Sequence, residues 1–412
     1  MKQISDKIYK KFTTIDDFIE KYHYISLANI RNGISLDFSL GLGNRSCKII
    51  PILQLATPKH ANIISNLFKD VYNGSYPYKQ MEDKKQIENM IKSENYLWFV
   101  FKTKENQYVG CIGIELNFDI KKGYIFGLVI KKQFQGILDT FTIWLLFIYY
   151  IWFSYKNIIL IWTSEIRTFI KKIQFATSLI GLIPIAFLPN KDIFNNKVES
   201  EFLNIIYDKK VFNRYRSKRT INIIKEVVFY FEYSKKKYNL ESPKIENPKL
   251  NLDKKKILKL KDKITLNQFI GDYEIKKIRI SLIDNESYFE FKYNLISNTI
   301  EKLDYYVTGL ELLILLLRKL KMFIKNNNIR YAECFVSAYN SIYQKIFLKA
   351  GFEPKGYIPC FLYNKKKDNF EDTILFIYNR DPIDPYLEKS LIYETKKLYK
   401  ISQKCSIIEI LK

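Results

Sequence analysis

A nine-residue pattern occurs twice in this chain and restricts its fold more than any other feature. Gly181-Leu-Ile-Pro-Ile-Ala-Phe-Leu-Pro189 and Gly351-Phe-Glu-Pro-Lys-Gly-Tyr-Ile-Pro359 agree in character at seven of nine positions, 170 residues apart. The same offset superposes Gln174 on Gln344, an apolar helix over 140–153 on one over 310–323, and a strand over 157–162 on 327–332. One offset shared by successive elements is the mark of a repeated unit. The chemistry of the pattern is that of a turn. Glycine just past a helix adopts the left-handed cap, the following proline stops the helix, and a small residue at 186 or 356 allows close packing. The pattern is therefore structural and names no activity.

Hydrophobic periodicity supplies the rest of the unit. A strand at 48–55 runs into Thr57-Pro58, a helix start, and apolar residues from Ile63 to Val71 recur at helical spacing. A second helix is expected over 81–93. Strands follow at 96–102 and 108–116, joined as a hairpin by the turn at 104–106, and at 123–130. Then come the helix over 140–153, the strand 157–162, a helix over 166–179, and strands at 183–188 and 202–207. After 211–231, read as a connecting helix, residues 234–263 hold eleven Lys against four acids, with Pro243 and Pro248, which reads as a linker. Beyond it the pattern predicts a hairpin of strands 273–282 and 286–293 around Asp284-Asn285. A helix over 309–324, a strand 330–336, a helix 341–349 and a hairpin over 354–378 complete it. The expected fold class is α/β (α+β): two mixed-sheet units with flanking helices, the second truncated at its front. The expected divisions are an extension at 1–45, a first domain at 46–210, a connector at 211–264, a second domain at 265–382 and a tail at 383–412.

Composition excludes several classes. Hydrophobic residues make up 47% and aromatic residues 16% of the chain, too much for disorder. The net charge of +24 attracts anions, but it comes from 57 Lys and only 10 Arg among 67 basic residues, together with an excess of Ile, Asn, Tyr and Phe. That is the signature of a compositional bias more than of the Arg forks that read phosphate and base edges. A nucleic-acid partner is therefore weakly supported, and the basic 234–263 segment is its one sequence feature. Five scattered cysteines without CxxC spacing and two histidines, His23 and His60, argue against a disulfide framework, a metal site or a His-based triad. The charge-free run 141–153 falls short of the ~20 residues a membrane span needs, so a buried core helix is expected. A polar N-terminus without a signal pattern points to a cytoplasmic chain.

The order of elements, Tyr124-Ile-Phe-Gly-Leu-Val-Ile130 and the following Lys-Lys-Gln-Phe-Gln135-Gly136 resemble the GNAT superfamily of acyl-CoA N-acyltransferases. The resemblance covers about 48–208. It implies a central strand at 124–130 and a loop, Gln/Arg-x-x-Gly-x-Gly/Ala in the family, whose amides hold the coenzyme A pyrophosphate. On that basis Leu128, Val129, Ile130, Gln135, Gly136, Ile137, Leu138 and Thr140 are the expected donor-binding residues, with acetyl-CoA or another acyl-CoA as donor and no metal. Leu138 and Thr140 stand where the family has its small residues, and Asp139 adds a negative charge beside a phosphate site. The implied reaction is acyl transfer to an amine, on a small molecule or a peptide. Glu115, Tyr124 and Glu165 are the candidate catalytic groups. Glu165 is equally read as an acidic residue in a first helical turn, and Arg167 as its ion-pair partner or as a holder of substrate. The family often places a tyrosine as acid four residues before the Gly-Phe turn; Thr177 and Phe347 stand there instead. The second unit has Tyr305-Tyr306 in place of the loop and resembles a non-catalytic copy, with Asn340, Tyr343 and Gln344 as its candidate ligand-facing polar residues. Two other readings stay open: an inactive scaffold that binds a partner or polyanion, and a tandem aminoacyltransferase that uses charged tRNA.

Overall fold

The computed structural model describes residues 12, 14–22, 49–283 and 286–410, apart from the side chains of 141–142 and 405–410. His23, Cys47, the side chain of Cys405 and the Asp284-Asn285 turn lie outside the described residues. The chain divides into two compact units. One comprises Met1–Pro184, Phe194–Lys197 and Leu203–Arg214; the other comprises Ile185–Ile193, Val198–Phe202 and Tyr215–Lys412. The α/β class expected from the sequence is observed: each unit is a mixed sheet flanked by helices.

The elements in the first stretch of chain are α1 (Ile15–Tyr22), β1 (Ile52–Leu55), α2 (Ala61–Tyr72), α3 (Lys84–Lys92), β2 (Tyr96–Lys102), β3 (Tyr108–Asn117), β4 (Lys122–Ile130), α4 (Thr140–Ser154), β5 (Ile161–Arg167), α5 (Lys171–Leu179), β6 (Ile183–Phe194) and β7 (Lys197–Tyr207). In the first unit β1, β2, β3 and β4 pair antiparallel in that order, and β4 pairs parallel with β5. Side chains alternate across the sheet. One face sends Phe99, Phe101, Ile112, Ile114 and Trp162 into a core with α4 and α1. The other sends Trp98, Val100 and Cys111 against α2 and α3. Helix α4 is apolar on every side, and each residue from Ile143 to Trp152 is buried. It is a core helix, as the short charge-free run implied, and no helix among the described residues is long and apolar enough to cross a membrane.

His60, the described histidine, is a structural group. Its Nδ1 accepts the Thr57 N–H at 2.9 Å and lies 3.0 Å from the Thr57 hydroxyl, closing the turn that starts α2, while Nε2 contacts the Tyr108 hydroxyl at 3.2 Å. Burial pushes its pKa below the ordinary value. The unfolded chain therefore takes up this proton first as pH falls, so the contribution of His60 to stability is level above about pH 7 and declines below about 6.5. Urea unfolding between pH 7.5 and 5 measures the decline, and His60→Gln is expected to reduce its slope.

Several expected boundaries move. Helix α3 starts at Lys84, because the Asp83 side chain accepts from Lys85 and Gln86 N–H and caps it there. The strand expected at 157–162 is β5 at 161–167. Residues 155–159 form a turn, with Asn157 at φ +69° and Ile158 and Ile159 N–H both donating to Tyr155. Helix α5 accordingly begins at Lys171 and not at 166, so Glu165 lies on a strand and not in a first helical turn.

The later elements are β8 (Asn222–Ile224), α6 (Val228–Tyr238), β9 (Lys244–Glu246), α7 (Lys254–Leu260), β10 (Ile264–Ile270), β11 (Ile275–Leu282), β12 (Tyr288–Asn294), β13 (Thr299–Tyr306), α8 (Leu310–Asn326), β14 (Tyr331–Ser337), α9 (Ser341–Lys349), β15 (Glu353–Asn364), β16 (Asn369–Asn379) and α10 (Tyr393–Ile410). In the second unit β10, β11, β12 and β13 pair antiparallel, β13 pairs parallel with β14, and β14 is followed by β16, β15 and β6. Residues 234–263, expected as a tether, carry the end of α6, β9 and α7. They are tied to the unit by Ser234 Oγ donating to the Tyr357 carbonyl, Ser341 Oγ to Glu246, and Lys256 to Glu311. Proline and lysine content misled there, because single apolar anchors such as Ile257 are enough to dock such a segment.

The 170-residue spacing reappears in the elements. Helix α4 and α8 start at 140 and 310, β5 and β14 span 161–167 and 331–337, α5 and α9 span 171–179 and 341–349, and β6 and β15 span 183–194 and 353–364. Gly181 and Gly351 have φ +84° and +86°, and the next residue's N–H donates to Thr177 and Phe347 respectively. After the second proline of each pattern, Asn190 and Cys360 both stand at φ +52°. Their N–H groups donate at 2.9 Å to Ser200 Oγ and Asp372 Oδ1 on the neighbouring strand. Gly356 and Ala186 are paired across β15 and β6, and a Cβ on Gly356 would lie 2.3 Å from that of Ala186. Both positions require small residues, as expected of 186 and 356.

Candidate functional site

Strands β4 and β5 pair only from Lys122–Ile161 to Ile125–Ser164. β4 continues to Ile130 and β5 to Arg167 without further pairing to one another, so the two strands part at their C-terminal ends. The cause is local. On its other edge β4 carries a bulge, where the register with β3 slips between Cys111 and Gly113, and Gly127 takes φ +64°. The backbone of 126–130 is thus left without a strand on its β5 side, in an arrangement suited to accept a ligand between the strands.

A polar row lies across the sheet beside this opening. Tyr96, Glu115, Tyr124 and Thr163 are neighbours in register on β2, β3, β4 and β5. The Tyr124 hydroxyl donates to Glu165 Oε2 at 3.0 Å, so two residues far apart in sequence form one hydrogen-bonded pair. Glu115, Tyr124, Glu165 and Arg167 are all half-buried. Burial, and then the Glu115 charge, push the Tyr96 phenol above its ordinary pKa. Burial lowers the Lys122 ammonium to about 7, a value at which a side-chain amine can exchange a proton near neutrality. Aromatic rings close the side: Tyr124 stacks on Phe126 at 5.9 Å, Trp98 meets Phe126 edge-on at 5.3 Å, and the Arg167 guanidinium lies 4.1 Å over Phe194. Phe126 could have been found by its alternation with Tyr124. Phe194 could not, since only the fold brings it to Arg167, and Lys122 was hidden among many lysines.

The loop expected to hold the donor is wound tightly. Residues 132–134 form a single 3₁₀ turn. The N–H groups of Phe134, Gln135, Ile137 and Leu138 donate to carbonyls within 131–134, and Asp139 N–H donates to Ile49. Gln135 reaches back through Nε2 to the Ile130 carbonyl at 2.9 Å, and Leu138 is buried in the core. Val129 is buried against α2 and α3, whereas Leu128, Ile130 and Ile137 pack partly buried on the opposite core. Gly136 differs from its neighbours. At φ +87° with open space around its Cα, its N–H donates to no backbone carbonyl among the described residues. Thr140 N–H, at the start of α4, donates to the Leu138 carbonyl, so within the loop Gly136 N–H is the group placed to meet an anion.

In the second unit the corresponding place is filled. The register of β13 slips in the same way, with Lys302 at φ +53°, yet Leu303 still pairs with Cys334 beyond the slip. Tyr305 sits against Phe289 and Phe347 at 5.5 and 5.7 Å, and only residues 307–309 connect β13 to α8, against 131–139 between β4 and α4. The polar residues expected to face a ligand have structural partners. Gln344 is buried, donates to the Asn222 and Ser337 carbonyls and accepts the Ile224 N–H; Asn340 Oδ1 accepts the Tyr343 N–H and caps α9. Thr177 is buried with its hydroxyl on the Ile173 and Gln174 carbonyls, and Phe347 is buried among aromatic rings. No cluster of three or more metal-ligating side chains occurs among the described residues.

No family model matches the chain, and no curated protein matches it. Similar solved structures exist. A mutant of the spermidine N-acetyltransferase SpeG from Vibrio cholerae is 15% identical with a TM-score of 0.33, over 40% of this chain and 97% of that one. A ribosomal-protein-S5-alanine acetyltransferase from Vibrio fischeri is 13% identical with a TM-score of 0.33, over 43% of this chain and 97% of that one. Spermidine and the ribosomal protein are the acceptors of those two enzymes.

Proposed function

We propose that the first unit transfers an acyl group from an acyl-CoA to an amine. The observation that carries this reading is the parting of β4 and β5 at the Gly127 bulge, with the Tyr124–Glu165 pair beside it. The β5-facing edge of 126–130, which pairs with β3 on its other side, suits the thioester arm, whose carbonyl an N–H group there would polarise. Gly136 N–H and the amino end of α4 suit the pyrophosphate. As the amine nitrogen forms its bond to the carbonyl carbon, Glu165 takes the amine proton. Tyr124 donates its own proton to the departing thiolate and recovers one from Glu165. Tyr124 is assigned the acid's role because Thr177, at the position the family often uses, is committed to backbone carbonyls. The expected acceptor is a small-molecule or peptide amine. With the constant spacing of the elements and the paired bulges at Asn190 and Cys360, the second set is read as a duplicated copy that lost the opening.

Glu165→Gln is expected to lower kcat/KM about 10²–10³-fold, and Tyr124→Phe about tenfold, with little change in donor affinity. Single-turnover transfer from labelled acetyl-CoA to a panel of amines reads both effects. Equal rates for the wild type and Glu165→Gln would remove Glu165 from the chemistry. A second reading, a scaffold that no longer binds the donor, is favoured by one observation: most loop amides already have carbonyl partners, next to the carboxylate of Asp139. It requires that donor binding be absent.

A further inference from the structure

We propose that the chain forms a two-fold dimer by pairing β10 with β10 of a second copy. This does not depend on the reading of the first unit. Strand β10 stands at the end of the strand order, pairs with β11 through seven consecutive residues without a bulge, and has no strand beside its outer edge among the described residues. An open edge is ordinarily protected by shortness, proline, charge or a bulge. The edge strand β1 in the first unit shows such protection: it has four residues and lies between Pro51 and Pro58. Strand β10, Ile-Thr-Leu-Asn-Gln-Phe-Ile, contains neither charge nor proline. It leaves Phe269 52% and Ile270 92% exposed, a cost in water that pairing would remove.

The register follows from the hydrogen bonds. Ile283 N–H donates to the Lys263 carbonyl, which sets the alternation along the β10–β11 pair. Thr265, Asn267 and Phe269 turn their backbone groups to β11, while Ile264, Leu266, Gln268 and Ile270 turn theirs outward. An antiparallel two-fold centred on Asn267 sets Ile264 opposite Ile270 and Leu266 opposite Gln268 of the second copy. All four outward residues are then paired on both chains, and no other symmetric register pairs all of them. A strand without charge or proline, whose four outward residues are all paired in one two-fold register, selects a second copy as the occupant.

Sedimentation of the full chain is expected to show a concentration-dependent doubling of mass. Gln268→Pro, which removes one outward N–H and no bond to β11, is expected to abolish the doubling while the chain stays folded, as its circular dichroism and cooperative melting would show. The register gives a sharper test. Asn267 faces itself across the two-fold in a non-hydrogen-bonded pair, with Cα atoms ~4.5 Å apart, close enough for a disulfide. Asn267→Cys should therefore cross-link to a dimer under mild oxidation, whereas Gln268→Cys and the wild type with its own cysteines should not. A monomer at all concentrations, an assembly that grows beyond two, or cross-linking equal at 267 and 268 overturns the proposal.

Discussion

Asp372→Ala destabilises the second unit by about 3–5 kcal/mol, because it breaks a buried ion pair and leaves its partners without one. Asp372 is fully buried on β16. It accepts from Arg216 Nη2 at 2.7 Å and Nε at 3.3 Å, from the Tyr357 hydroxyl at 2.5 Å and from the Cys360 N–H at 2.9 Å. Truncation strands the Arg216 cation at a site where its side chain is 17% exposed. It also releases Cys360, a non-glycine residue at φ +52°, from the hydrogen bond that holds its bulge. Chemical unfolding of Asp372→Ala against Asp372→Asn separates the two parts. The amide keeps an acceptor for Cys360 and gives up the ion pair, so it should fall between alanine and the wild type. The equivalent residue Asn190 donates its N–H to Ser200, a neutral acceptor, and is held besides by its side chain on the Asp381 and Pro382 carbonyls and by Arg330 on its own carbonyl.

Gly356→Ala costs about 3 kcal/mol or more, at the upper end of what overpacking produces. The added Cβ would lie 2.3 Å from the Ala186 Cβ, 2.7 Å from its Cα and 2.7 Å from the Ile185 carbonyl oxygen. Two of those three atoms are backbone and cannot move aside by changing rotamer. Ala186→Gly in the same chain removes one of the three contacts, so the double variant should recover part of the loss, a coupling that a thermal-denaturation cycle reads directly. Gly351→Ala serves as a comparison. No atom lies within 4 Å of its Cβ, but φ is +86°, and its cost should be the smaller one of a left-handed conformation, about 1–2 kcal/mol.

These two sites illustrate what the sequence discloses. The turn of the nonapeptide is legible because its physics is local: the glycine that closes the helix acts within a few positions, and Gly181 and Gly351 both take the left-handed conformation, whereas the small residues at 186 and 356 act on one another across β6 and β15. The core helix α4 is legible from its uninterrupted apolar run. Element boundaries were harder where polar residues enter a strand. Thr163, Glu165 and Arg167 alternate with Trp162, Ser164 and Ile166 across β5, and the alternation was masked by Ser-Glu next to a helix. Strands β10 and β13 escaped notice because they border lysine-rich or acidic stretches whose composition resembles loops. At the candidate site, Tyr124 and Glu165 were each visible in the sequence, but their hydrogen bond was not, since it depends on the parallel pairing of strands 41 residues apart. The winding of the 131–139 loop is likewise hidden. Gly136 alone announced a special conformation, and the carbonyls that occupy the amides around it come from the turn itself and from Ile49.

Titration calorimetry of the full chain with acetyl-CoA tests the acyl-transfer reading most directly. The expected result is saturable binding at one site, weakened at least about tenfold by Gly136→Glu, which places a carboxylate and a strained φ where the phosphate-facing N–H stands. Glu165→Gln should leave that affinity in place. No heat of binding at millimolar acetyl-CoA, from a chain whose cooperative melting shows it to be folded, would contradict the acyltransferase and leave the scaffold.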